Sequence, residues 1–428
     1  MICVSDYAPQ LLNRNCSPEA DRDIRETVRA IISDVRRCGD TALLEYSRRF
    51  DKVRDLCIEV PGQVIDASAA GIDPELLGTM RLAAGRIERY HRSQLREGFE
   101  IREPDGTVMG QKVLPIEKVG IYVPGGRAAY PSTVLMTAIP ARIAGCGTIV
   151  MVTPPDSDGT ISPTVLAASK IAGVDRVFAI GGAQAIAALA YGTQTVPKVD
   201  KIVGPGNAYV AEAKRQVFGA VSIDMIAGPS EILIIADKSA CPAFLAADML
   251  AQAEHDPMAK AVLLTDSREL GLNVLDEIQK RLPQLTRGEI AGRSISDNGR
   301  ILIVDSISQA IEISNEWAPE HLELCLDDPM PLLGSIRNAG SVFLGHYCPE
   351  AMGDYLTGPN HTLPTSGTAR FSSALGVDDF TKRVQYSSLP REVACALADD
   401  VNRFALAEGL GAHASSALIR KQAKEGQL

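Results

Sequence analysis

The chain has no uninterrupted apolar run approaching the ~18 residues that a membrane helix needs, so no membrane span is expected. It has no basic excess either. Its 43 Lys and Arg stand against 53 Asp and Glu, a formal net charge of −10. A nucleic-acid surface needs a basic face, so no nucleic-acid partner is expected. There is no CxxC, and the nine cysteines are odd in number and scattered. That usage points to reduced thiols in a cytoplasmic protein, without a disulfide framework or a Cys-type zinc site. The opening MICVSDYAPQLLNRN has neither a basic n-region nor an apolar h-region, so no signal peptide is expected. Low-complexity segments and short-period repeats are also missing. Histidine is scarce, six in 428 residues. The remainder, 46% hydrophobic and 22% charged, suits a globular enzyme long enough for two or more domains.

Residues 17 to about 98 read as helices. One opens on Ser17 as N-cap with Pro18 at the first helical position and ends at Gly39. Another begins on Asp73 and Pro74, with His91 among charges near its end and expected in solvent. Alternation around Asp105 and Gly106 then signals a hairpin. From TIVMVTP onward, short apolar strands alternate with helices in two series, with AGPSE between them. Such alternation means parallel sheets covered by helices on both faces. Residues from about 390 return to helix.

Open α/β sheets bind ligands beyond the carboxyl ends of their strands. Four loops after strands are glycine-rich: YVPGGRAAYPS, IGGAQ, VGPGNAYV and AGPSE. None is a full GxGxxG, and each alone fits a tight turn as well as a phosphate loop. Together they point to a nucleotide-sized ligand. Polar groups that could hold a metal are dispersed. Gln252 and His255 stand three apart near a helix end, Asp354 and His361 lie in a loop, and Glu408 and His413 lie in the C-terminal segment. They would make a nitrogen/oxygen site for zinc or a similar ion, although each fits a satisfied polar role as well. Cys146 reads as a small buried residue before a strand, since no basic residue beside it would lower its pKa. In WAPEHLELC, Glu320 stands directly beside His321 at the entry to a strand, as either a polar connection or an acid/base pair.

These motifs, with GGAQAIAALAYGTQTVPKVDKIVGPGNAYVAEAKRQV, QAEHD, GDYLTGPNHTLPTSGTARFSS and AEGLGAHA, resemble the histidinol dehydrogenases. The resemblance runs nearly unbroken from about residue 110 to 415. It implies an α/β fold of two Rossmann-like parallel-sheet domains, similar to aldehyde dehydrogenases, with helical N-terminal and C-terminal segments. On that expectation residues 1–16 form an arm. Residues 17–121 and 230–375 form the domain carrying catalytic and metal residues, and 122–229 the NAD-binding domain. Residues 376–428 form a helical segment swapped to the partner of a homodimer with shared active sites. It further implies oxidation of L-histidinol to L-histidine by two NAD⁺, through an aldehyde that stays bound, with one Zn²⁺ per subunit. By motif it assigns zinc to Gln252, His255, Asp354 and His413, and acid/base work to Glu320 and His321. Ser230, His361 and Glu408 become substrate contacts, beside the metal residues and His321. Tyr122, Gln184 and Asn207 become NAD contacts. A related branch of the same fold acts on other small polar alcohols.

The residue types suit that chemistry. An imidazole titrating near neutrality suits proton removal from an alcohol. The second oxidation needs water added to the aldehyde, and an adjacent carboxylate can deprotonate it. Zinc would act as a template holding the substrate's imidazole and amine nitrogens. Neighbouring strand residues point to opposite faces, so the pair is expected on irregular backbone ahead of the strand. Two rivals predict otherwise: an aldehyde dehydrogenase needs a reactive cysteine, and a non-catalytic nucleotide-binding protein predicts NAD binding without metal or turnover.

Overall fold

The computed structural model describes residues 2–12, 18–53, 56–125 and 129–422. The Ser17 cap therefore lies outside the described residues, as do 126–128 of the first glycine-rich loop. The chain divides into two compact units. The first, Met1–Leu95 with Ile116–Phe380, contains two parallel sheets.

One sheet has five strands in the spatial order Arg176–Ala179, Thr148–Thr153, Lys118–Tyr122, Lys201–Val203, Ser222–Ile223. By order of appearance in the chain this is 3-2-1-4-5, the doubly wound pattern. The other sheet has six strands: Val4–Asp6, Arg300–Ile303, Lys260–Thr265, Glu231–Ala236, His321–Cys325, Ser341–Leu344. Past the Val4–Asp6 edge the order is again 3-2-1-4-5. Both sheets are buried on two faces, which is why their strands read as continuous apolar runs rather than as alternation. Val119 and Ile121 belong to one core cluster of the five-stranded sheet and Tyr122 to the other. In the six-stranded sheet Ile232 and Ile234 face one way, Leu233 and Ile235 the other.

Two expected boundaries fall elsewhere. Residues 118–121 were expected in the catalytic domain, but the strand Lys118–Tyr122 lies whole at the centre of the five-stranded sheet. The N-terminal helices follow it. Val28, Ile31, Ile32 and Val35 of Pro18–Cys38 share a core with the helices Gly182–Tyr191 and Ala208–Val217. Ala83 and Ile87 of Pro74–Arg92 join the core on the opposite face. Apolar stripes were legible in these helices, but not the sheet that would cover them. The hairpin Phe99–Arg102 and Val108–Pro115 pairs antiparallel with Thr381–Ser388 and belongs to the second unit. That unit also holds the helices Arg391–Ala407 and Gly411–Gln422, packed on one another.

His91 is a second correction, because it is fully buried. Met80, Ala83 and Ile87 precede it at helical spacing, so the ring continues the inward stripe. Its Nδ1 faces the Ile87 carbonyl at 2.8 Å, and its Nε2 faces the Asn360 amide nitrogen at 3.4 Å. Burial lowers its pKa.

Candidate active site

Glu320 and His321 owe their position to how the helix Ile307–Trp317 ends. Ala318 takes a left-handed φ of 53°, turning the chain into Pro319 and then into the strand. Glu320 precedes the strand and His321 is its first residue, so the irregular backbone expected for both accommodates only Glu320. Both side chains hold the backbone of one residue, Glu231, which begins the neighbouring strand. The Glu231 N–H donates to Glu320 Oε2 at 2.8 Å, and His321 Nδ1 lies 3.0 Å from the Glu231 carbonyl oxygen. A carbonyl only accepts, so Nδ1 carries the proton and Nε2 keeps its lone pair. Nε2 lies 3.6 Å from Glu350 Oε1. The His321 pKa falls to about 4, chiefly because burial disfavours the imidazolium, with Asp354 opposing. Glu320 is pushed well above the usual carboxylate range, again chiefly by burial, with the Glu231 N–H opposing. A neutral imidazole base beside a weakly acidic carboxyl can accept one proton and exchange another.

Glu350 is the residue that sequence reasoning missed. It is 4% exposed, and with His255 and Asp354 it offers ligand atoms all within 4.8 Å of one another. The Gln252 amide, with its nitrogen toward Glu350, donates to both carboxylate oxygens at 2.9 and 2.8 Å. The available signal was the spacing of Glu350 and Asp354, which puts two acids on one side of a helical turn. Glu323, on the same strand face as His321, accepts the Glu350 N–H at 2.7 Å. It also pairs with Asp248, whose pKa burial raises to about 6. One imidazole nitrogen, an amide and two carboxylates form a mixed nitrogen/oxygen donor set that suits a divalent ion such as zinc.

The position of this cluster departs from the expectation for open sheets. Ser230, Glu231 and His321 lie at the amino ends of their strands, and Gln252 and His255 lie where the helix Pro242–Ala253 returns to that edge. His361 connects the cluster to the other sheet. Its Nδ1 lies 3.1 Å from the Asp354 carbonyl oxygen. Its Nε2 lies 3.4 Å from Thr133 Oγ1, in the first turn of the helix Pro131–Ala144. Ser230 immediately precedes Glu231, and its carbonyl accepts the Lys260 N–H at 3.0 Å. Glu408 and His413 lie in the second unit, both exposed. Cys146 is half-buried and its thiol is pushed up to about 11 by burial, which makes it a poor nucleophile.

The residues expected to contact the cofactor lie at the carboxyl edge of the five-stranded sheet. Lys118–Tyr122 and Lys201–Val203 are neighbours there, and the strand order reverses between them. The Tyr122 hydroxyl accepts the Gly182 N–H at 3.1 Å, and burial pushes it up to about 12, so it stays a phenol. Gln184, in the first turn of Gly182–Tyr191, is buried with its Oε1 unpartnered, an atom that a ligand donor would satisfy. Asn207 caps Ala208–Val217, its Oδ1 accepting from Tyr209 and Val210 N–H at 3.0 and 3.1 Å.

Two doubly wound sheets, one bearing a buried imidazole–carboxylate centre, mark the chain as an α/β protein of enzyme type. The family profile described as histidinol dehydrogenase matches residues 15–421. A histidinol dehydrogenase of Clostridium acetobutylicum is 50% identical, covering 93% of this chain and 92% of the relative. One from Syntrophotalea carbinolica is 53% identical over the same shares. The crystal structure of histidinol dehydrogenase from Elizabethkingia anophelis superposes with a TM-score of 0.92 at 37% identity, covering 98% of both chains. The chain belongs to the histidinol dehydrogenase family.

Proposed function

We propose that this chain oxidises L-histidinol to L-histidine in histidine biosynthesis, in two hydride transfers to NAD⁺ with L-histidinal held between them. The observation that carries the reading is the tautomer of His321. Its Nδ1–H is spent on the Glu231 carbonyl, so Nε2 keeps the lone pair that can accept a proton in a buried site. Nε2 takes the hydroxyl proton of the alcohol as hydride leaves the carbon. Water then adds to the aldehyde, and Glu320 takes its proton. A carboxylate whose pKa burial raises above the usual range is a stronger base than an ordinary one. A second hydride transfer from the hydrate yields the carboxylate. Tyr122, Gln184 and Asn207 would hold NAD⁺ at the carboxyl edge of the five-stranded sheet. His361 links that half to the metal cluster.

Gln252, His255 and Asp354 would hold zinc, with the partner subunit's His413 in a homodimer and Glu350 alongside. When bound, the ion supplies a Lewis-acidic anchor for the imidazole and amine nitrogens of the substrate. Ser230 and Glu408 complete the substrate contacts. A cytoplasmic location fits the eight cysteines among the described residues, all free thiols. Among those residues no helix is long and apolar enough to cross a membrane.

The test counts NADH per histidinol consumed. Two NADH with little trappable aldehyde are expected, and Glu320→Gln should slow the second oxidation more than the first. Capture of most of the product as free aldehyde from the wild type would overturn the single-site scheme.

A further inference from the structure

A buried ion pair stands behind the crevice of the five-stranded sheet, apart from every residue assigned above. Lys214 lies in the helix Ala208–Val217 and Asp224 just past the edge strand Ser222–Ile223. Their charged groups meet with 2% and 1% of the side chains exposed. Both also hold one residue, Gly204. Lys214 Nζ donates to the Gly204 carbonyl at 3.0 Å, and the Gly204 N–H donates to Asp224 Oδ2 at 2.7 Å. The other Asp224 oxygen accepts the Met225 N–H at 2.6 Å.

Gly204 is where the strand Lys201–Val203 becomes the loop leading to Asn207. Its φ is +112°, and a Cβ there would come within 2.1 Å of the Tyr122 carbonyl oxygen. Two strands flanking the switch point therefore approach backbone to backbone, in a conformation only glycine adopts readily. Left alone, that peptide would relax away or bury unpaired polar atoms. Stability alone does not account for the ion pair, because desolvating two charges generally offsets their attraction and an apolar pair of similar volume serves as well. What an apolar pair does not supply is a charged donor for the carbonyl and a charged acceptor for the N–H of the same residue.

We propose that Lys214 and Asp224 are positioning residues for the dinucleotide. They fix Gly204 from behind, so that the loop through Gly206 to Asn207 is preorganised for the cofactor, and they touch no part of it. This rests on the reading that NAD⁺ occupies this crevice.

The test measures NAD⁺ binding calorimetrically on the full chain, with KM for NAD⁺ and for histidinol and a thermal melt. Three variants are compared: Asp224→Asn, the apolar pair Lys214→Met with Asp224→Leu, and Gln184→Leu inside the crevice. The apolar pair should melt close to the wild type yet bind NAD⁺ about tenfold or more weakly, with KM for histidinol unchanged. Asp224→Asn should weaken NAD⁺ in the same selective way. A merely structural pair predicts the opposite: restored stability brings restored affinity, and that result overturns the proposal. Should the apolar pair not fold, unchanged affinity in Asp224→Asn overturns it as well. If Gln184→Leu also leaves NAD⁺ binding untouched, the crevice is not the nucleotide site, and the proposal falls with that reading.

Discussion

Asp51 shows how a single side chain couples burial to pH. It caps the helix Asp40–Phe50, its Oδ2 is buried without a partner, and burial raises its pKa to about 6. In the unfolded chain the same group titrates near ~3.9. The folded state therefore binds a proton more readily, and the associated stability is present at low pH and lost as pH rises through about 6. Asp51→Asn removes the charge that burial penalises. The variant should melt with the wild type near pH 4 and above it at pH 8, and equal melting temperatures at both would refute the assignment. At this scale the sequence was partly legible. Glu320 and His321 were visible as neighbouring acid and base with so few histidines present. Glu350 was not, because its spacing from Asp354 resembles that of any two solvated acids on one helical turn. His91 was misjudged because charged neighbours in sequence say less than the apolar stripe it shares with Ile87.

The helix Ile307–Trp317 governs where Glu320 and His321 sit, through a non-glycine residue in the left-handed region. A Cβ there costs about 1–2 kcal/mol, and a β-branched side chain costs more. Ala318 is also fully buried. Ala318→Val should therefore destabilise the fold by roughly 1–3 kcal/mol in denaturant titrations. It should also lower kcat more than it changes KM, by shifting Glu320 and His321. Ala318→Gly tolerates the same backbone and should keep full activity, and comparable losses in both variants would refute the argument. Elements were the most readable level. Alternating apolar strands and helices gave the parallel sheets, and Asp105-Gly106 gave the hairpin. The edge at which the six-stranded sheet gathers its polar cluster was hidden, since polar groups at strand starts and at the end of a returning helix leave no glycine-rich signature.

Across the whole molecule, the placement of the N-terminal helices on the five-stranded sheet was not legible. An amphipathic stripe records that a face is buried, not which surface buries it. The same limit applies to the exposed His413, whose proposed place is in the partner's metal site. Two inactive variants, His255→Asn and His413→Asn, unfolded and refolded together, test this. Random pairing makes half the dimers mixed, each with one intact site of two, so about a quarter of wild-type activity should return. No recovery from a mixture shown to contain mixed dimers rules out sharing. Chelation should abolish turnover, and Zn²⁺ should restore it. Metal retention should fall sharply in His255→Asn, and a full metal complement in that purified variant would refute the ligand assignment.

Glu231 moors both Glu320 and His321 through its backbone and not through its own side chain. Every amino acid but one offers the same N–H and C=O. The anchor is therefore largely invisible to mutation, because exchanging the residue leaves the mooring in place unless the newcomer is proline, which has no N–H to give. Apart from proline, heritable variation can reach this anchor only by bending the strand that carries it.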